Sequence, residues 1–192
     1  KCSNKKIFFN SKMNDQLMLI CDIYSIVPLA IYFAMFYFGI CSGNINEALG
    51  FMVYFFINNE ITSIIKRLPY PESLWEITRR PEGSFNTDYL SRNGPSKKDA
   101  PGFPSGHMTS IAAFAMYMVL RKKGDMDWDN FIRENMFFFL ANILSVLMMG
   151  FARWYKNCHN MTQIIAGTIY GSVTAYFYFN YIGKYLIVGE SN

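Results

Sequence analysis

The chain has 192 residues, of which 52% are hydrophobic, and it is rich in Phe (18), Tyr (13) and Met (12). Only 17% is charged, against the roughly one quarter expected of a soluble domain. This excludes a disordered chain, and the net charge of +4 is too small and too scattered to indicate nucleic acid. Long apolar runs separated by short polar loops, at a mean hydropathy of +0.10, point to a small polytopic membrane protein. None of the four cysteines (Cys2, Cys21, Cys41, Cys158) has metal-finger spacing, so neither a zinc site nor a disulfide framework is indicated.

Residues 1–16 are polar and basic. Leu17 to Ile40 then forms an apolar run with a single charge, Asp22, reaching about 36 Å as a helix. Pro28 predicts a kink in it, which a membrane helix tolerates. A second span is expected over 48–65, where Asn58, Asn59 and Glu60 should face the bundle interior. The segment 66–104 is long, proline-rich and charged, and loops of this length usually carry function or disorder. Further spans are expected over 105–121, 135–152 and 161–183, the last carrying Ala166, Gly167, Gly171 and Ala175, which permit close helix packing. The expectation is one all-α domain, a membrane helical bundle of about five transmembrane spans.

Both histidines stand at the start of an expected span. His107 ends Pro104-Ser105-Gly106-His107, where a helix start offers free N–H groups and a positive dipole end to an anion. The same residues are also what a simple Ser-Gly helix start looks like. His159 lies one helical turn before Gln163, whose carbonyl can accept a hydrogen bond from Nδ1–H and leave Nε2 with the lone pair of a nucleophile. Arg153 can hold phosphate in a fork or can snorkel at an interface. Five spans place both histidines on one membrane face. The loop adds Lys66, Arg67, Arg79 and Arg80. Its carboxylates Glu72, Glu76, Glu82, Asp88 and Asp99 show no spacing for an acid/base couple or a magnesium site, so neither a metal nor another cofactor is expected.

In this order the clusters resemble the motifs of the type 2 phosphatidic acid phosphatase superfamily, across about residues 60–175. The second motif is complete as Pro104-Ser105-Gly106-His107, the third runs from Arg153 to His159, and the first ends in Arg80-Pro81. Where the family lysine is expected the chain has Ser73, so Lys66 fits only across an insertion through Leu68-Pro69-Tyr70-Pro71. Ala152 replaces a serine, and Gln163 an aspartate, a change that resembles the dolichyl-diphosphatase branch.

The resemblance implies metal-independent hydrolysis of a lipid phosphate or polyprenyl diphosphate through a phosphohistidine. His159 would be the nucleophile, His107 the acid and base, and Gln163 the group that orients His159. Lys66, Arg80, Ser105, Gly106 and Arg153 would bind phosphate. The substrate would be drawn from the bilayer of an endomembrane such as the endoplasmic reticulum. The charge bias would put the motif face in the cytoplasm, and the resemblance would put it in the lumen. A catalytically inactive scaffold on the same fold is the alternative.

Overall fold

In the computed structural model, residues 11–81, 84–88, 91–95 and 100–188 are described. The basic stretch 1–10, with Cys2, and the loop acids Glu82 and Asp99 lie outside them, as does the side chain of Asp88. Helices α1 (Ser11–Tyr24) and α2 (Val27–Ser42) are followed by α3 (Ile45–Lys66). The segment after α3 holds a 3-10 turn (Glu72–Leu74), the short α4 (Trp75–Thr78) and an antiparallel hairpin of β1 (Phe85–Asp88) and β2 (Ser91–Pro95). Then come α5 (Gly106–Lys123), α6 (Trp128–Glu134), α7 (Met136–Tyr155) and α8 (Met161–Tyr178). A π-helical turn, Phe179–Gly183, joins α8 to α9 (Lys184–Val188).

Local chemistry sets the ends of these helices. The first apolar run breaks at Ser25-Ile26, and α2 restarts with Pro28 in its first turn, where a missing N–H costs no hydrogen bond. Gly43, at φ +72°, turns the chain out of α2 in the left-handed conformation that glycine adopts freely. Asn44 then caps α3 by accepting the Glu47 amide, 3.0 Å away. Asp127 caps α6 and Asn160 caps α8 in the same way.

Helix α5 is the centre of the bundle. Ten of its residues are buried, and Met108, Ile111, Tyr117 and Leu120 share a core with Phe51 and Phe55 of α3, Met149 of α7, and Ile164 and Tyr178 of α8. Its tightest neighbour is α8. A Cβ on Gly167 would stand 2.6 Å from the Ser105 carbonyl oxygen, so only glycine permits the approach. At the other end of α5, the fully buried carboxylate of Glu47 accepts from the Tyr117 hydroxyl at 2.6 Å and from Nε and Nη2 of Arg121. This clamp ties the start of α3 to the last turn of α5.

The helices correct the expectation of about five membrane spans. Among the described residues, two helices are long and apolar enough to cross a membrane, Ile45–Lys66 and Met136–Tyr155. They become three if Gln16–Tyr24 and Val27–Ser42, bent by 46°, form one broken span. Helix α5 fails on charge, because Arg121, Lys122 and Lys123 fill its last turn. Helix α8 fails on polarity, because Gln163, three threonines, two glycines and a serine dilute its apolar residues. The outer surface is nonetheless strongly apolar, with Phe33, Phe56, Phe137, Leu147, Ile169 and Tyr181 all more than half exposed. Such a surface marks contact with membrane or protein rather than with water.

Candidate active site

The close packing of α5 on α8 decides where the two histidines stand. The Ser105 amide donates to the Gln163 carbonyl at 3.0 Å, so the first turns of α5 and α8 lie side by side at one end of the bundle. His107, the second residue of α5, is half-buried there. His159 is buried just ahead of α8, in the short link from α7.

The loop before α5 is strapped over these helix starts. The Arg80 amide donates to the Ala100 carbonyl at 2.9 Å, and the Gly102 and Phe103 amides both donate to the Thr78 carbonyl, at 2.8 and 3.1 Å. Arg79 and Pro101 form an antiparallel bridge, and Arg80 Nε donates to the Pro101 carbonyl at 3.3 Å. These bonds hold Arg80 beside residues that follow it by some twenty positions. Gly102 packs directly on the Gln163 amide, where a Cβ would come within 2.8 Å of both its terminal atoms. Next to the strap is a cavity of about 240 Å³, lined among others by Lys66, Arg67, Tyr70, Trp75 and Arg79.

Gln163 connects the strap to His159. Its Nε2 donates to the Ile77 and Arg79 carbonyls, at 2.9 and 2.6 Å. A carbonyl can only accept, so the amide orientation is set by its partners, and Oε1 is the atom facing His159 Nδ1 at 2.8 Å. Oε1 can only accept in turn. Nδ1 therefore carries the proton, and in the neutral imidazole Nε2 carries the lone pair.

The cations gather around this imidazole. Arg153 is fully buried in the last turn of α7, and Lys66 ends α3. The Lys66 ammonium occupies the space left by the missing side chain of Gly106, with Nζ 3.0 Å from where a Cβ would sit. Burial first, then the charges of Arg153, Arg80 and Lys66, hold the His159 pKa well below its ordinary value of 6.5, with the Gln163 bond opposing them. Ser105 contributes a fully buried hydroxyl that has no hydrogen-bond partner among the described residues. An anion is the ligand that would satisfy both this hydroxyl and the surrounding positive charge.

The sequence-derived site residues thus collect at one end of the bundle: Lys66, Arg80, Ser105, Gly106, His107, Arg153, His159 and Gln163. Several supporting groups were not anticipated. Asn160 accepts the Gln163 amide at 2.9 Å and donates to the Glu76 carbonyl at 3.0 Å, and its Asn-x-x-Gln spacing was a readable cap signal. Thr78 and Gly102 act through backbone contacts that no spacing reveals. Among the described residues, no group of three or more His, Cys, Asp or Glu side chains is arranged to hold a metal ion.

The comparisons with known proteins identify the family. No curated protein and no solved structure matches the chain significantly. The profile of the PAP2 superfamily matches residues 47–186, from the first turn of α3 to α9, and so covers every residue of the cation cluster. The chain belongs to the PAP2 superfamily, a family associated with the hydrolysis of lipid phosphate and diphosphate groups.

Proposed function

We propose that this chain hydrolyses a lipid phosphate or polyprenyl diphosphate without a metal, by way of a phosphohistidine on His159. The observation that carries the reading is the contact of His159 Nδ1 with Gln163 Oε1 at 2.8 Å, whose acceptor-only oxygen leaves the lone pair on Nε2, among the charges of Arg153, Arg80 and Lys66. Nε2 attacks phosphorus, the bond from phosphorus to the leaving oxygen breaks, and His107 gives that oxygen a proton. Water then attacks the phosphohistidine, His107 takes the water's proton, and phosphate departs with His159 restored. Lys66, Arg80, Arg153, the Ser105 hydroxyl and the Gly106 amide meet the charge on the phosphoryl oxygens, the main electrostatic task of phosphoryl transfer.

The lipid character of the substrate is supported by an apolar groove of about 690 Å³ between α5, α7 and α8, lined by Met108, Gly150, Phe151, Trp154, Met161 and Ile164 among others. Trp154 adjoins Arg153 in the chain, and Met161 follows His159 closely. A phosphate on the cations could leave its tail in this groove. Gln163 favours the dolichyl-diphosphatase branch, and with it an endoplasmic reticulum location, by the resemblance of its motif.

The test is phosphate release from vesicle-borne lipid monophosphates and diphosphates, with chelator present throughout. The wild-type chain should turn over at least one of them. His159→Ala should abolish turnover and His107→Ala should reduce it at least about a hundredfold, both while folded. Unchanged turnover in both variants, or none in the wild type with any lipid phosphate, rejects the reading and favours a non-catalytic scaffold.

A further inference from the structure

The family match begins at residue 47, yet a group from the segment before it touches the candidate phosphate site. Ser25 lies at the 46° break between α1 and α2 and is only 3% exposed, in an otherwise apolar run. Its hydroxyl donates to the Cys21 carbonyl at 2.8 Å, which leaves its oxygen lone pairs for two cations. They are Nη1 of Arg153 at 3.2 Å and Nζ of Lys156 at 3.4 Å. Lys156 is itself buried and pairs with the Asp22 carboxylate at 2.6 Å.

The arrangement solves a specific electrostatic problem. Arg153 and Lys156 are two buried positive charges at the end of one helix, and left together they would repel each other and crowd His159 with charge. Asp22 cancels Lys156. Ser25 then fixes one edge of the Arg153 fork, and so the plane in which its remaining N–H groups lie. A charge in an apolar segment is costly, and half-buried Asp22 is the single charge of the Leu17–Ile40 run.

We propose that Ser25 and Asp22 are positioning residues for phosphate binding that act through Arg153, so that the bend ahead of the family domain completes the active site. This rests on the hydrolase reading above, which sets Arg153 against phosphate. The contribution is to ground-state and transition-state binding alike. Its loss should therefore raise KM and leave kcat nearly unchanged.

The experiment uses the full chain in detergent, with inorganic phosphate as the binding probe, steady-state kinetics on a lipid phosphate, and a melting curve for each variant. Ser25→Ala should weaken phosphate binding and raise KM about tenfold, the size of one hydrogen bond to a charged group, with kcat and melting temperature close to wild type. Ser25→Thr, which keeps the hydroxyl, should restore both. Asp22→Asn should weaken binding more than Ser25→Ala. The double variant Asp22→Asn with Lys156→Gln, which removes both charges, should recover most of that loss.

Wild-type phosphate affinity in Ser25→Ala overturns the proposal. So does a Ser25→Thr variant as weak as Ser25→Ala, or losses that only follow a lowered melting temperature. A wild-type chain that neither binds phosphate nor hydrolyses lipid phosphate overturns the hydrolase reading along with it. An active wild type with unaffected variants overturns the positioning role alone.

Discussion

The amide of Gln163 ends in an oxygen and a nitrogen, and each has partners of only one kind. Two backbone carbonyls take the nitrogen, so the oxygen is left for His159. Aspartate at this position could accept from Nδ1 too, and its charge would favour the imidazolium. Glutamine accepts without adding charge, which suits a site already holding Lys66, Arg80 and Arg153. Gln163→Leu, close in size and without an acceptor, should leave the chain folded and lower kcat about a hundredfold as the tautomer is lost, measured by phosphate release with a melting curve as control.

The depressed pKa of His159 has a sign that can be followed. The free enzyme keeps this imidazole neutral down to a pH well under 6.5, so the acid limb of kcat/KM that belongs to His159 should fall below 6.5. The linkage to stability runs the same way. The unfolded chain takes up this proton near 6.5 and the folded chain only at lower pH, so the contribution of His159 to stability falls as pH drops below about 6.5. A kcat/KM profile whose acid limb lay above 6.5 and moved in Gln163 variants would contradict this.

At the scale of elements, the distance between α5 and α8 controls the site. Gly167 lies against the Ser105 backbone and Gly171 against Thr109, and the first turns of both helices carry the chemistry. Gly167→Ala forces a methyl group onto a carbonyl oxygen that cannot swing aside. It should cost roughly 1–3 kcal/mol of stability, seen as a lower melting temperature, and reduce turnover by displacing Ser105 and Gln163 relative to each other. A neutral outcome would mean that the two helices have slack.

The small residues of α8 were readable as a packing face because glycine and alanine recur along one helix. The Ile45–Lys66 and Met136–Tyr155 helices were readable from their apolar runs. The strap was not, because its order comes from backbone bonds between Thr78–Arg80 and Ala100–Phe103, and β-bridges of this kind leave no periodicity in so short a segment. The role of Ser25 was invisible for a related reason: the two cations it meets lie more than a hundred positions away.

For the molecule as a whole, apolar content alone overstated the number of spans. A helix facing lipid must be apolar around most of its circumference, and the two that qualify have only 28% and 17% of their spanning windows buried within the protein. Helix α5 is surrounded by protein instead. It can bury Ser110, whose hydroxyl donates to Asn59 Oδ1 at 2.8 Å, and Thr109, which donates to the Ser105 carbonyl at 3.1 Å. Interior position explains both its mixed composition and why it does not qualify as a span although one was expected over 105–121. The motif residues were legible because histidine is scarce here: with two in the chain, each next to a helix start, their neighbourhoods could be compared directly.

The most direct measurement is to quench the chain in alkali during turnover of a lipid phosphate labelled in the terminal phosphoryl group, and to map the label. A phosphohistidine survives alkali and is lost in acid. The label should reside on His159, at up to one equivalent per chain, and be absent from His159→Ala. Product formation with no covalent label at any time point, or label on another residue, would contradict the account.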